Sequence, residues 1–277
     1  MIVDGSEGSL KQFLNDLPPV DQVGAESRAA MLATRSIKTT SKAWAIDMAI
    51  SMVDLTTLEG ADTPGKVKAL CAKAVRPDPT DLTVPSVGAI CVYNDMVKTA
   101  RDELDLIGGK NIPVAAVSTA FPSGRASLAV KKQDTKDALD AGATEIDMVL
   151  NIGLLKSGQN AEVQADIAAV VKAAAGHTVK VILENAYLTD AEKVTGCKLS
   201  EAAGAHYVKT STGYAPTGAT LADIKLMIGM FNKTIQLFKK YKNTDIKEPH
   251  ALAVKGQRYK KMMEAKILGS KLLLSSA

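Results

Sequence analysis

Residues 145–186, EIDMVLNIGLLKSGQNAEVQADIAAVVKAAAGHTVKVILENA, decide the fold. Two short apolar runs, 145–153 and 179–186, flank a segment at 160–176 whose apolar residues recur at helical spacing. A strand, a helix and a second strand in this order predict a parallel βαβ unit. Both runs are apolar on consecutive residues, which is typical of strands that are covered on both faces.

The same alternation extends from this unit in both directions, from about residue 44 to the end of the chain. A (β/α)8 barrel of about 250 residues is the most economical arrangement of such units. A doubly wound open sheet is the alternative, but no G-x-G-x-x-G follows an early strand. The predicted strands are 49–58, 87–93, 112–119, 145–153, 179–186, 206–212, 251–256 and 271–277, and helix-like segments include 62–75, 128–142, 160–176 and 221–231.

The first part of the chain has a different character. SLKQFLNDL begins with Ser9 as a candidate N-cap, and a second helix-like stretch follows the Pro-Pro pair at 18–19. We therefore predict an N-terminal helical extension at 1–43 and a barrel domain at 44–277.

Composition and charge narrow the classes of function. The 277 residues are 46% hydrophobic and 23% charged, with a net charge of +4, which is too mild to indicate nucleic acid or a membrane surface as a partner. No apolar run approaches the about 18 residues of a transmembrane helix, and the N-terminus lacks the apolar core of a signal peptide. Residues 225–271 are rich in lysine, which indicates either a solvated helix face or a surface for an anionic partner, such as a protein.

The numbers and spacing of cysteines and histidines indicate the redox environment of the protein and whether it has a metal-binding site. The three cysteines are widely spaced and odd in number, which favours a reducing, cytoplasmic environment over a disulfide framework. The three histidines show no metal-ligand spacing, so we expect no metal. The cysteines are Cys71, Cys91 and Cys197, and the histidines are His177, His206 and His250.

Charged residues within the strands are the most informative feature for function. Asp147, Lys180 and Lys209 lie in the fourth, fifth and sixth predicted strands, which are neighbours in a barrel. Taken singly, Asp147 could cap a helix or pair with a surface lysine, Lys180 could mark the solvated end of the barrel, and Lys209 could reach solvent. Taken together, they are predicted to face one cavity.

Two lysines and one carboxylate in such a cavity have a chemical use. An amine attacks a carbonyl only when it is unprotonated, and a free lysine has a pKa of about 10.4. Burial and a second ammonium nearby both favour the neutral amine, which makes one lysine a nucleophile for Schiff-base formation. The carboxylate can then move the protons. This chemistry needs no cofactor.

Six blocks of sequence resemble the deoxyribose-phosphate aldolase family, in the family's order, over roughly residues 45–230. They are DLTTL (54–58), AICVY (89–93), FPSG (121–124), GATEIDMVLNIGLLKSG (142–158), VKVILENAYL (179–188) and AGAHYVKTSTGYAPTGAT (203–220). The resemblance implies a (β/α)8 barrel that reversibly cleaves 2-deoxyribose 5-phosphate, a small phosphorylated sugar, to acetaldehyde and glyceraldehyde 3-phosphate.

The resemblance also implies roles for single residues. Lys180 matches the Schiff-base lysine, Lys209 the second lysine that lowers its pKa, and Asp147 the acid/base aspartate. Asp54 and Cys91 match positions that line the substrate pocket, and Thr210 is predicted to bind substrate beside them. A homodimer is possible on this reading.

Two departures from the family pattern leave alternatives open. Asn185 stands where the family has threonine, and the predicted phosphate loops after strands seven and eight hold one glycine and no glycine, respectively. The chain could be an active aldolase, an aldolase for a different aldehyde, or a weakly active or inactive barrel that serves in binding or as a scaffold. The candidate phosphate-binding residues in these loops are Lys255, Gly256, Arg258, Ser275 and Ser276.

Overall fold

The computed structural model describes residues 21–34 and 38–230. The chain divides into two compact units, Met1–Ala45 and Ile46–Ala277. The predicted boundary between residues 43 and 44 stays a prediction, and the predicted helix at 9–17 and strands seven and eight lie outside the described residues.

Within the described ranges, helices and strands alternate from β1 onward. The strands are β1 Asp54–Thr56, β2 Ala89–Tyr93, β3 Val114–Ser118, β4 Glu145–Val149, β5 Thr178–Ile182 and β6 Tyr207–Lys209. The helices are α1 Gln22–Ala33, α2 Thr39–Ile50, α3 Pro64–Val75, α4 Val97–Leu106, α5 Leu128–Asp140, α6 Ile152–Lys156, α7 Asn160–Ala173, α8 Asp190–Ala202 and α9 Leu221–Met230.

Helix α2 differs from the sequence prediction. The sequence predicts a first strand over the apolar run at 49–58, but the first two residues of this run end α2, and the strand itself begins at Asp54. Ala49 and Ile50 are apolar in either conformation, so a short apolar run does not separate a helix end from a strand start. None of the helices in the described ranges is long and apolar enough to cross a membrane.

The six strands form one parallel sheet in the order β1-β2-β3-β4-β5-β6. Each strand is followed by a helix, and α3 packs on α4, α5 on α7, α7 on α8 and α8 on α9. This sequential parallel order confirms the predicted barrel class, because an open doubly wound sheet would reverse its strand order at a switch point.

The two faces of the sheet differ in polarity because side chains alternate along a strand. One face packs under the helices and is apolar, with Ile90, Ile146 and Val181 among its fully buried members. The opposite face carries Asp54, Cys91, Glu145, Asp147, Lys180 and Lys209. Helix packing therefore stabilises one face of the sheet and leaves the other for polar chemistry.

An ion pair between two distant strands shows that the sheet is curled. Lys180 Nζ on β5 lies 2.9 Å from Asp54 Oδ2 on β1. Four inter-strand steps in a flat sheet would separate these strands by about 19 Å. The polar face therefore lies on the concave side, as in the interior of a barrel.

Local signals set where the outer helices begin. Thr63 caps α3 by accepting a hydrogen bond from the Lys66 N–H, and Pro64 occupies the first helical position. Thr189 and Glu192 form a reciprocal capping box at the start of α8. These caps hold the helices that cover the apolar face.

Candidate active site

The site is built around the Lys180 ammonium in the concave interior. Its Nζ lies 2.5 Å from Glu145 Oε2, 2.9 Å from Asp54 Oδ2 and 3.2 Å from Asp147 Oδ1. The Lys180 side chain is 4% exposed and Asp147 is fully buried. A buried cation of this kind is tolerable only because carboxylates surround it.

Lys209 reaches the same carboxylate from the next strand. Its Nζ donates a hydrogen bond to Asp147 Oδ2, whereas Lys180 contacts Oδ1 of the same group. The Lys209 side chain is 26% exposed, so this lysine is the more accessible of the two. Asp147 therefore bridges both lysines and separates their ammonium groups.

The charges set the pKa values of the three bridged groups. Burial lowers the pKa of Lys180, but Asp147, Asp54 and Glu145 outweigh it and hold that pKa well above its ordinary value. Burial and the neighbouring Lys180 both lower the pKa of Lys209. The Asp147 carboxylate outweighs them, so the pKa of Lys209 lies above its ordinary value. Burial raises the pKa of Asp147, but Lys180 and Lys209 reverse this and hold it below its usual range.

These directions correct one expectation. The sequence predicts that Lys209 keeps Lys180 neutral, but three carboxylates contact the Lys180 ammonium and raise its pKa instead. The second lysine still repels the first, but the carboxylates dominate.

The loop after β6 is tied to the end of β5. Glu184 has a left-handed backbone, with φ of 58°, and is almost fully buried. Its carboxylate accepts hydrogen bonds from the N–H and the hydroxyl of Thr212. A non-glycine residue in this conformation costs about 1–3 kcal/mol, so the surrounding contacts must hold it there. Burial, opposed by these hydrogen bonds, raises the pKa of Glu184.

Three aromatic rings gather at the carboxyl ends of the strands. Phe121 lies edge-on to Tyr93 and to Tyr214, with ring centroids 6.2 and 5.8 Å apart. The Tyr214 hydroxyl donates to the Leu58 carbonyl, so the loop after β6 reaches the loop after β1. The rings therefore border the end of the barrel at which the chemistry of this fold takes place.

Comparison with known proteins decides the family. A model for the DeoC/LacD family aldolases matches residues 48–250. The chain belongs to that family. Deoxyribose-phosphate aldolases of Staphylococcus epidermidis and Natranaerobius thermophilus are 47% and 42% identical to it, over 58% and 64% of this chain and 76% of each relative. For a second Staphylococcus epidermidis relative, 53% identical, the chain spans 61% of that protein.

Solved structures agree with this assignment. A Coccidioides immitis protein assigned as a deoxyribose-phosphate aldolase superposes with a TM-score of 0.60 at 35% identity, over 66% of this chain and 67% of that one. The tetrameric deoxyribose phosphate aldolase of Aeropyrum pernix superposes with a TM-score of 0.57 at 26% identity, over 67% and 74%. Both share the fold of the aldolase described here.

The other residues predicted to line the pocket of the aldolase are Asp54, Cys91 and Thr210, and each has different contacts. Asp54 contacts Lys180 directly, and Cys91 Sγ lies 4.0 Å from Asp147 Oδ2. Burial, reinforced by Asp147, raises the pKa of Cys91 to about 12, so this thiol stays protonated. Thr210 is buried directly after β6, and its carbonyl accepts a hydrogen bond from the Asn185 N–H.

Other polar residues at strand ends have structural partners instead. Asn151 caps α6 through the Leu154 N–H. Asn185, at the position that departs from the family pattern, donates its side-chain amide to Met227 Sδ at 3.3 Å. The predicted phosphate-binding residues Lys255, Gly256, Arg258, Ser275 and Ser276 lie outside the described residues.

Sequence reasoning missed Glu145, which makes the shortest of the three ion pairs of Lys180. The sequence does indicate its position. Glu145 lies two residues before Asp147, and side chains two residues apart lie on the same face of a strand. The aromatic cluster had no comparable signal. Tyr93 ends β2, whereas Phe121 and Tyr214 lie in the loops after β3 and β6, and no spacing along the chain relates the three residues.

Proposed function

We propose that this aldolase reversibly cleaves 2-deoxyribose 5-phosphate to acetaldehyde and glyceraldehyde 3-phosphate by class I, Schiff-base chemistry. The observation that carries the proposal is the bridged cluster in which Asp147 contacts Lys180 through one oxygen and Lys209 through the other. The names of the relatives supply the substrate class, and the cluster supplies a route to the reaction.

Lys180 is the proposed nucleophile. Its side chain is almost fully buried in the concave interior, and its amine would attack the substrate aldehyde to form an iminium. The iminium withdraws electrons from the adjacent carbon, so the bond between C2 and C3 of the sugar can break and leave an enamine of acetaldehyde. A cleft that excludes water would also protect this intermediate from premature hydrolysis.

Asp147 and Lys209 are the proposed proton-transfer pair. The Lys209 ammonium, partly exposed on the next strand, can donate a proton to the departing oxygen. Asp147 contacts both nitrogens and can move protons between them or, through a water, to the substrate. Asp54, Cys91 and Thr210 are proposed to line the pocket that receives the sugar.

Borohydride trapping tests the proposal directly. The protein is incubated with acetaldehyde and borohydride, and the modified residue is identified by mass spectrometry. A reduced two-carbon adduct on Lys180 is the expected result. Lys198, an exposed lysine of α8, serves as the internal control for non-specific modification. Absence of an adduct at Lys180 would instead favour the binding or scaffold alternative.

The phosphate preference is a separate question. We propose that Lys255 and Arg258 bind the substrate phosphate by charge, together with Gly256, Ser275 and Ser276. Cleavage of 2-deoxyribose 5-phosphate is compared with that of 2-deoxyribose. A higher kcat/KM for the phosphorylated sugar that falls in Lys255→Met and Arg258→Met supports this set, whereas equal values for both sugars would indicate a different aldehyde acceptor.

Assembly and location are further proposals. Tetramers occur in a structural relative, and we propose a homodimer as the smallest assembly of this chain, with the lysine-rich segment 225–271 as a surface for a protein partner. The odd cysteine count supports a cytoplasmic location. Sedimentation at several protein concentrations tests the dimer, and a monomer throughout would contradict it.

A further inference from the structure

The resting charge of Lys180 raises a question that the proposed function leaves open. Formation of an iminium from an ammonium removes two protons from Nζ, and the first must leave before the amine can attack. Asp147, the carboxylate assigned to proton transfer, already accepts a hydrogen bond from Lys209. Two further carboxylates, Asp54 and Glu145, lie closer to Lys180 Nζ than Asp147 and are candidates to take the first proton.

Glu145 has the contact that this step requires. Its Oε2 lies 2.5 Å from Lys180 Nζ, against 2.9 Å for Asp54 and 3.2 Å for Asp147. The aligned hydrogen bond of Lys180 goes to Asp54, and Glu145 Oε2 is a buried oxygen without a hydrogen-bond partner among the described residues. This oxygen is nevertheless within the reach of a general base, whose hydrogen bond often aligns only when substrate is bound. No ion pair within 4 Å joins Glu145 to Lys209 in the described part of the chain, so its contact with Lys180 is not shared with the second lysine.

The strand register places Glu145 on the opposite side of Lys180 from Lys209. On β4, Glu145 is in register with Thr178 and Asp147 with Lys180. On β6, Lys209 is in register with Ile182, which lies two residues nearer the carboxyl end of β5 than Lys180 does. A proton that leaves towards Glu145 therefore moves away from the end at which substrate enters.

The charges of the cluster favour a proton acceptor. Two ammonium groups, Lys180 and Lys209, face three carboxylates, Asp54, Glu145 and Asp147. With every group ionised, the cluster carries one negative charge in excess. One carboxylate can therefore take a proton from Lys180 and leave each remaining carboxylate with a cation or hydrogen-bond donor.

We propose that Glu145 is a catalytic base that removes the first proton from Lys180 and so activates it as the nucleophile. This inference rests on the Schiff-base chemistry proposed above. The Lys180 Nζ–H bond breaks, its proton passes to a Glu145 oxygen, and the freed electron pair forms the bond to the substrate carbonyl carbon. The carbonyl π-electrons move to the oxygen.

The proton balance of the whole step closes without another reactant. The carbinolamine oxygen takes one proton from Nζ through Asp147 and one from the Lys209 ammonium, and it leaves as water. The iminium keeps the last Nζ proton and the positive charge. Glu145 is then protonated and Lys209 neutral, so the cluster has the same total charge as before, and hydrolysis of the iminium reverses each transfer.

The groups that bear on this transfer come from several strands. Asp54 faces Lys180 from β1, Cys91 from β2, Glu145 and Asp147 from β4, and Lys209 and Tyr207 from β6. The inward positions of β3 are Ala115 and Val117, which carry no titratable group. Glu145 is distinguished from these neighbours by its short distance to Lys180 Nζ.

The test compares rates of adduct formation on Lys180. Acetaldehyde and cyanoborohydride are mixed with each protein from about pH 5 to about pH 9, and the adduct is quantified over time. Glu145→Gln should be slower than the wild type by about 100-fold or more at neutral pH, the usual worth of a general base. Glu162→Gln, which removes an exposed glutamate of α7, should stay within about two-fold of the wild type.

Chemical rescue separates a base from a merely structural residue. Glu145→Ala leaves space for formate, and added formate should restore the rate in a concentration-dependent manner. The proposal is overturned if Glu145→Gln forms the adduct at the wild-type rate, or if Glu145→Ala stays slow at every formate concentration. Should Glu145→Ala fail to fold, Glu145→Asp withdraws the carboxylate by about 1.5 Å and should be at least about ten-fold slower. A wild-type rate in Glu145→Asp would contradict the proposal.

The outcomes also separate this inference from the proposed function. No adduct on Lys180 in the wild-type protein would refute the Schiff-base function itself. An adduct that forms equally fast in wild type and Glu145→Gln would leave the function standing and refute only the role of Glu145.

Discussion

Lys180 and Lys209 lie on adjacent strands but are offset by two residues along them. Lys209 is in register with Ile182, and Lys180 is in register with Tyr207. The two ammonium groups therefore do not stack side by side. Each meets a different oxygen of Asp147, and the buried carboxylate lies between them. This offset lets one carboxylate serve two cations.

Loss of the second lysine should make the first harder to deprotonate. Lys209→Leu removes a cation that repels the Lys180 ammonium, so the pKa of Lys180 should rise. We expect the pH needed for half-maximal borohydride trapping to move up by about one unit, with the fold preserved in the circular dichroism spectrum. Lys198→Leu is the control. An unchanged pH profile in Lys209→Leu would contradict coupling between the two lysines.

A buried ion pair outside the active site should contribute to stability only while it is complete. Lys131 on α5 is 1% exposed, and its Nζ lies 2.5 Å from Asp166 Oδ2 on α7. Lys131→Met leaves a largely buried carboxylate without its cation, which should lower the free energy of unfolding by about 3–5 kcal/mol. Urea denaturation measures the change.

The matched control is the double variant Lys131→Met/Asp166→Leu. It removes both charges, and replacing a buried pair with apolar groups is often neutral. We expect most of the lost stability to return. A double variant as unstable as Lys131→Met would show that packing of the lysine stem, and not the unpaired charge, accounts for the loss.

Two glycines with similar backbones should respond very differently to alanine. Gly124 has φ of +67°, and an added Cβ would lie 2.6 Å from the Leu150 carbonyl oxygen and 2.7 Å from that of Val149. Gly158 has φ of +71° with no atom within 4 Å of such a Cβ. Gly158→Ala should cost only the left-handed strain, about 1–2 kcal/mol.

Gly124→Ala should cost clearly more than Gly158→Ala, because the clash involves backbone that cannot move without shifting the end of β4. Thermal unfolding of both variants gives the comparison. Equal losses would mean that the loop after β3 shifts freely, and that its close approach to Leu150 does not restrain the end of β4.

Two carboxyl groups should make opposite contributions to the pH dependence of stability. The pKa of Glu184 is raised from 4.5, mainly by burial. The folded protein therefore binds this proton more tightly than the unfolded chain. The stabilising contribution is complete below about pH 4.5 and is lost as pH rises through the folded pKa. Glu184→Gln should remove this decline.

Asp62 is the matched comparison. Burial opposes its ionisation, but hydrogen bonds from Lys66 and Thr57 outweigh burial and lower its pKa from 3.8. Its contribution is present above about pH 3.8 and is lost as pH falls through the folded pKa. Urea unfolding of Glu184→Gln and Asp62→Asn over a pH series should give difference curves of opposite slope. Difference curves with slopes of the same sign would contradict the direction of the pKa shift given for Glu184 or for Asp62.

Much of the fold and part of the site follow from local pattern. Apolar runs predicted strands β2 to β6 within a few residues, and helix caps such as Thr63 and Thr189 lie close to the helices they start. The rule that side chains alternate along a strand also places Glu145 on the same face of β4 as Asp147. These features depend on residues within one or two turns of each other, so the sequence carries them directly.

Only the tertiary structure decided which side chains contact each other in the barrel interior and how those contacts shift their pKa values. Asp54 and Lys180 are 126 residues apart, and their contact depends on how strongly the sheet curls. The charged state of Lys180 depends in turn on three carboxylates from two strands, and Tyr214 reaches Leu58 across the mouth of the barrel. The sequence alone determined the parallel barrel and the residues on its strands, because alternation is a local property. It did not determine the electrostatics of the site, because Coulomb interactions depend on distances that only strand curvature and register set.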